Sequence, residues 1–352
     1  MRPPEGELVP FRDLAIWIAP RTGRVALLNA PARTIAERCG RHPKVPCDGE
    51  AAKLMQRLRL LDRRPVARRR ARLEPAPATP AALDLVCRPA VRPVRLRVVG
   101  SRRLARLVAP VVAPAATTGE PEEELLALRI ADGRYRLVLN GRHLQDLRGL
   151  ALARSELLRL LVLRSCSGRP AAVLHGTAVL GPAGCLLLCG ESGSGKSTLA
   201  AELLGRGHVL LAEDYAPLDG RGRLHPVRFA LGLKSGSPAL AAFAAGRATA
   251  PPLRFRGRTV QYFRPDRIAS RPARVDHLLF PVFDPGAEPQ SLPLDPAQAL
   301  RLCVRSGGWY RGERRAVEAL LSWLSRTPAT LLLYPCTASA LELLAHLPRL
   351  RR

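Results

Sequence analysis

Residues Gly190 to Ser197 read Gly-Glu-Ser-Gly-Ser-Gly-Lys-Ser, filling every fixed position of the phosphate-binding pattern GxxxxGK[ST]. The uncharged run Cys185-Leu-Leu-Leu-Cys189 precedes it and predicts a buried strand. Thr198-Leu-Ala-Ala-Glu-Leu-Leu-Gly-Arg follows and predicts a helix carrying Leu199, Leu203 and Leu204 on one side. Strand, glycine loop and helix together constrain the chain to an α/β arrangement. Glycines let backbone N–H groups curl around phosphate oxygens, and the helix start adds its own donors and dipole. The pattern predicts nucleotide contacts from Gly190, Glu191, Ser192, Gly193, Ser194, Gly195, Lys196, Ser197 and Thr198. Lys196 is expected on the terminal phosphates and the Ser197 hydroxyl on Mg²⁺.

Arginine usage singles out a second lysine. Of 56 basic residues only Lys44, Lys53, Lys196 and Lys234 are lysines, in a chain rich in Ala, Leu and Pro. A lysine kept under such bias suits a task arginine does poorly, a compact point charge on a phosphate. Lys234, in Leu-Gly-Leu-Lys-Ser-Gly-Ser, is therefore a further candidate nucleotide contact; the competing reading is a solvated loop lysine.

The net charge is +27, and residues 57–107 hold fifteen Arg against Asp62, Glu74 and Asp84. Such a block suits nucleic acid, an anionic surface or an acidic peptide. It has no aromatics for base stacking and no nucleic-acid module, so a solvated basic surface is the preferred reading. The eight cysteines show no paired CxxC spacing, and Cys185 and Cys189 read as buried apolar residues in a reducing cytoplasm. Met1-Arg-Pro-Pro-Glu-Gly-Glu lacks the apolar run of a secretory signal. The uncharged segment 171–190 has the length of a membrane span. Glycines and Pro182 break it, however, predicting two strands around Gly181-Pro-Ala-Gly184 and a protein without a membrane partner.

The second chemical feature is the acid pair Glu213-Asp214. It closes the apolar run His208-Val-Leu-Leu-Ala212, seventeen residues after Lys196. Ligand crevices of open α/β sheets lie at the carboxyl ends of strands, so this strand is expected close to the P-loop strand. One acid is expected to hold Mg²⁺ with Ser197 and the other to take a proton from an attacking hydroxyl; the pattern does not say which. The competing reading is a cap at a strand end. His175 ends Ala171-Ala-Val-Leu174 and precedes Gly176, one strand before the P-loop. There it either orients the acids, touches the terminal phosphate or is structural.

Elsewhere the pattern predicts four regions. Residues 1–62 form a small α+β unit, with strands Leu14–Ile18 and Arg24–Leu28 around the turn Pro20–Gly23. In the same unit one helix runs from Asn29 to about Cys39 and another from Glu50 to Leu61. Arg63–Pro80 is a Pro/Arg-rich linker. Residues 81–164 are mostly strand, with a hairpin over Asp132-Gly133 and a closing helix around Leu157–Leu161. Residues 165–352 hold the P-loop, a Pro/Arg-rich stretch at 251–274, a strand at Leu278–Phe283, helices near 295–305 and 313–325, then strand Thr330–Tyr334 and helix Ala338–Leu347.

His175-Gly176, then Gly190–Leu199, then Leu204-Gly-Arg-Gly-His208 and the acid pair resemble the HPr serine kinase/phosphorylase superfamily. The likeness is nearest to HPr-kinase-related proteins found beside peptide-modifying enzymes, and it covers roughly 165–345. It implies a P-loop kinase core, a mixed sheet with flanking helices, using ATP and Mg²⁺ to phosphorylate a serine of a peptide or protein, such as a ribosomally made precursor. By the same resemblance His175, Lys196, Glu213 and Asp214 are catalytic, and Ser197, Glu213 and Asp214 serve the metal. Glu213 stands where the family commonly has Asp, and Thr198 where it often has Glu. The signature loop of phosphorolysis is missing, so no reverse reaction is expected. Trp17-Ile-Ala-Pro-Arg-Thr-Gly-Arg-Val-Ala-Leu-Leu-Asn-Ala-Pro-Ala-Arg-Thr-Ile35 resembles the start of PqqD-type domains, which implies a leader-peptide site; a plain packing unit is the alternative. The rival to a kinase is a non-catalytic nucleotide-binding regulator or scaffold. No Leu-Ser-Gly-Gly-Gln signature of ABC-type ATPases occurs. The acceptor and the oligomeric state are left open by the sequence.

Overall fold

The computed structural model describes residues 7–19, 24–28, 80–130, 132–182, 184–237, 247–255 and 257–347. Among the described residues it is a mixed α/β protein of five sheets and six α-helices. The turn at Pro20–Gly23, both helices expected within 29–61 and the linker 63–80, save Pro80, lie outside the described residues. The flanking N-terminal strands are present, and Glu7–Phe11 joins Leu14–Ala19 and Arg24–Leu28 in an antiparallel three-stranded sheet.

The P-loop strand Gly184–Cys189 lies inside a six-stranded sheet. The order is Val209–Ala212, Gly176–Gly181, Gly184–Cys189, His277–Phe283, Ala329–Tyr334, Gln290–Leu294. Gly176–Gly181 and Gly184–Cys189 form the expected antiparallel pair, and His277–Phe283 runs parallel to the P-loop strand on its other side. The acid-bearing strand Val209–Ala212 is thus one strand removed from the P-loop strand rather than its neighbour, because the hairpin partner occupies that place.

An all-apolar strand is required here because both faces are covered. Leu186 and Leu188 pack with Leu199, Ala200 and Leu203 of the helix Lys196–Gly205 and with Leu332 and Ala340. Cys185, Leu187 and Cys189 point to the opposite face, into a core shared with Leu300, Cys303, Leu320 and Leu324. Each leucine fully buried in this way contributes roughly 1.5–3 kcal/mol. That same apolar core continues without a break into the five-stranded sheet of residues 81–147, through Leu96, Val98, Leu104, Leu125, Leu137 and Leu157.

In that sheet Val94–Val99 and Glu123–Arg129 run parallel, joined through the helix Arg102–Val112. This region, read as mostly strand before its closing helix, therefore carries an additional helix. Ser101 caps it by accepting from Leu104 N–H, and Leu104, Leu107, Val108 and Val111 face inward. Pro110 and the valines obscured that helical spacing. The closing helix is Leu150–Ser165. The Pro/Arg-rich stretch at 251–274 holds the strands Leu253–Phe255 and Arg258–Phe263, which pair with each other, and the second of them pairs on its other side with Leu231–Lys234. The helices Pro296–Ser306, Arg314–Arg326 and Thr337–Ala345 and the strand Ala329–Tyr334 lie where the pattern put them. Among the described residues no helix is long and apolar enough to cross a membrane.

Candidate functional site

Two adjacent segments leave the six-stranded sheet at the same end and enter a second, antiparallel sheet. His175 is the single residue between Ala172–Leu174 in the second sheet and Gly176–Gly181 in the first. Beside it, Glu213-Asp214-Tyr215 joins Val209–Ala212 to Ala216–Leu218, which pairs with Ala172–Leu174. The crossing is tight at Gly176, where an added Cβ would lie 2.6 Å from the Leu188 carbonyl oxygen. A register shift between Ala178 and Val179 opposite Ala212 and Leu210 inserts one residue just before the acids. Such a bulge bends its strand and re-aims the side chains that follow.

The loop itself is built from residues that tolerate left-handed backbone. Gly195 has φ +97° and lies under the Tyr334 ring, whose hydroxyl donates to the Ser194 carbonyl at 3.3 Å. The helix Lys196–Gly205 starts there with no side-chain cap. Its first amide donors are left for a ligand, and the dipole favours an anion. In the same loop Ser194 Oγ is buried and, among the described residues, has no hydrogen-bond partner. The Lys196 ammonium donates to the Gly190 and Glu191 carbonyls at 2.6 and 3.0 Å. Burial holds its pKa below the usual lysine value, opposed by the charge of Asp214 and then by further acidic neighbours. A bound anion would favour the charged ammonium. The Glu191 side chain turns out toward Arg305, at 3.2 Å, and the Thr198 hydroxyl meets Ser237 at 3.0 Å.

The two acids are not equivalent. Glu213 is 2 % exposed, and its carboxylate accepts from Ser197 Oγ at 3.0 Å and Thr177 Oγ1 at 2.5 Å. Burial and then the adjacent Asp214 charge push its pKa well up, against the two hydroxyl donors and Lys196. Asp214 is half-buried and has φ +59°, rare for a non-glycine residue. Tyr215 N–H donates across it to the Glu213 carbonyl at 2.7 Å, the i to i+2 bond of a γ-turn with positive φ. His175 braces this strained turn: Nδ1 donates to the Asp214 carbonyl oxygen at 3.1 Å, and its own N–H donates to the Gly307 carbonyl at 3.2 Å. That bond leaves Nε2 as the acceptor nitrogen of the neutral ring. Among the described residues the Asp214 carboxylate itself takes no hydrogen bond.

Lys234 also joins the site. It donates to Ser192 Oγ at 3.3 Å, and its Nζ lies 4.0 Å from the Cβ position of Gly193. Beside it, Arg258 Nη1 is 3.4 Å from that position. Three contributors escaped the sequence reading. Thr177 could have been found as the lone hydroxyl in Gly-Thr-Ala-Val-Leu, and Tyr334 as the residue at a neighbouring strand's carboxyl end. Arg258 carried no signal amid so many arginines.

Oxygen donors suit Mg²⁺, which usually takes one or two protein ligands and completes its shell with phosphate and water. The Ser197 hydroxyl and the Glu213 carboxylate fit that role, and no group of three or more His, Cys, Asp or Glu residues forms a metal cage among the described residues. The uncapped helix start and the orphaned Ser194 hydroxyl fit a phosphate-bearing nucleotide. No protein-family model matches the sequence. No curated protein matches it either.

Proposed function

We propose that this chain is an ATP- and Mg²⁺-dependent kinase of the HPr-kinase type, transferring the γ-phosphoryl group to a serine hydroxyl of a peptide or protein. The observation that carries the reading is the Ser197–Glu213 hydrogen bond at 3.0 Å, with Asp214 next in the chain on a braced γ-turn. It ties the loop's hydroxyl to one carboxylate while keeping a second carboxylate free of donors beside it.

Bound ATP with Mg²⁺ supplies the transferable phosphoryl group and a cation that neutralises its charge. Ser197 and Glu213 would hold the metal, the loop amides and Lys196 would hold the phosphates, and Lys234 would add positive charge from outside the loop. Asp214 takes the proton of the acceptor hydroxyl as the acceptor oxygen bonds to the γ-phosphorus and the bond from that phosphorus to the β-phosphate oxygen breaks, leaving ADP. His175 acts as a positioning residue, fixing the backbone that aims Asp214. The preference for Asp214 as base follows from burial: Glu213 is enclosed and committed to two hydroxyls, whereas its half-buried neighbour takes no hydrogen bond among the described residues.

The test is incubation of the full chain with ATP, Mg²⁺ and a library of serine-containing peptides, read by mass for one added phosphate. Lys196→Ala is expected to abolish the product. Asp214→Asn is expected to slow turnover by about 10²–10⁴-fold while still binding ATP. ATP binding with no acceptor phosphorylated would instead favour a regulator or scaffold.

A further inference from the structure

The three-stranded sheet of Leu231–Lys234, Arg258–Phe263 and Leu253–Phe255 reaches over the P-loop apex. Beside it opens a cleft of about 500 Å³ lined by Lys234, Ser235, Arg254, Gly257, Arg258 and Thr259. That volume falls in the range of small-ligand sites and exceeds what a single phosphate fills. Three cations line it and no carboxylate does. Several arginines elsewhere pair with acids, Arg95 with Asp84, Arg136 with Asp146, Arg164 with Glu123 and Arg223 with Asp219. Among the described residues neither Arg254 nor Arg258 has such a partner. Burial, then the charges of Arg258 and Lys196, hold the Lys234 ammonium below its usual pKa, with only Asp214 opposing. Cations crowded this way are relieved by an anion from outside.

Strand register says where that anion comes from. Lys234 pairs with Val260, which shares a face with Arg258, and this face is turned to the P-loop. Arg254 pairs with Thr259 on the other face. The cleft therefore wraps the end of the small sheet and leads away from the phosphate loop, which has donors of its own. It contains no aromatic ring on which a base could stack, but it offers hydroxyls and backbone suited to a peptide.

We infer that this cleft is the acceptor's docking subsite and that it takes an acidic peptide segment, whose carboxylates meet Arg254 and Arg258 while its serine reaches Asp214. The inference rests on the kinase reading for the serine and stands by itself for the binding of the acidic segment.

Fluorescein-labelled peptides holding one serine, flanked either by Glu and Asp or by Gln and Asn, separate these points. With the full chain, anisotropy is expected to show the acidic peptide binding about tenfold tighter or more. Arg254→Glu and Arg258→Glu should each erase that preference, while the exposed Arg102→Glu, an equal change in net charge, should keep it. ATP affinity should be unchanged in Arg254→Glu. Equal binding of the two peptides, or a preference that survives Arg254→Glu, overturns the inference. So does a single-stranded oligonucleotide that binds more tightly and is the ligand the two variants lose. Tight acidic-peptide binding without phosphorylation would sink the kinase reading and leave the subsite standing.

Discussion

Glu213 illustrates a residue whose stability and chemistry pull in opposite directions. Its carboxylate is buried beside a second acid, so the charged form is costly in the free protein. Glu213→Gln keeps an oxygen for one of the Ser197 and Thr177 hydroxyls, sets an amide N–H against the other, which can turn to accept it, and removes the charge. The expected result is a higher melting temperature together with loss of the Mg²⁺-dependent tightening of ATP, checked by thermal melts and by ATP titrations with Mg²⁺ and with EDTA. A lower melting temperature would mean that the carboxylate is stabilised by something other than these two hydroxyls. Thr177→Val tests the same network from the other side. It deletes one donor to a buried carboxylate and is expected to cost about 1–3 kcal/mol in denaturant unfolding. Gly176 is constrained by space instead. Ala there would set its Cβ 2.6 Å from the Leu188 carbonyl oxygen, so the strand pair must shift. Gly176→Ala should lose about 1–3 kcal/mol and weaken catalysis through the displaced His175 and Asp214.

At the scale of elements, one side chain joins the helix Leu150–Ser165 to the hairpin over the P-loop. Arg154 is 9 % exposed, donates from Nε to the Leu107 carbonyl at 3.1 Å and from Nη2 to the Tyr262 hydroxyl at 2.8 Å. Its guanidinium also sits 5.3 Å from the Phe255 ring centroid. Arg154→Ala leaves two buried acceptors unmade and removes the cation from the ring face, for an expected loss of about 3 kcal/mol or more by denaturant unfolding. Such long-range ties are what a sequence conceals. The P-loop, its strand and helix, the hairpin at 176–189 and the acid pair were readable because each depends on a few consecutive residues. The insertion of Gly176–Gly181 between the acid strand and the P-loop strand depends on pairing across the sheet, which no local pattern encodes. The helix Arg102–Val112 was hidden by Pro110 and by valines that favour strands. The hairpin at 253–263 was hidden by a composition that reads as linker, and with it went Arg258.

The whole molecule carries 56 basic residues against 29 acids, so its carboxylates restrain a strong self-repulsion. Asp146 shows the sign. Hydrogen bonding from Arg136 above all, and then from His143, overcomes burial and brings its pKa down to about 2. Its unfolded value is near 4, so the stability it contributes is complete above that pH and is lost as the pH falls through about 2. Asp84, lowered chiefly by its hydrogen bond to Arg95, acts in the same direction. Protonating every acid would leave the 56 lysine and arginine charges, joined by those of the seven histidines, opposed by none. Unfolding free energies measured by denaturant titration should therefore fall steeply between about pH 4 and 2, whereas between about pH 7 and 5 the buried Glu213, whose pKa is pushed up to about 8, acts with the opposite sign and adds stability as the pH falls. Asp146→Asn should be less stable than the parent at neutral pH, and the difference should close by about pH 2, where the parent's own carboxylate is being protonated. Added salt should recover part of the acid loss, because repulsion among exposed charges is screened within about 10 Å at 0.1 M. A gap between parent and Asp146→Asn that stays constant down to pH 2 would show that the side chain acts there by shape and not by charge.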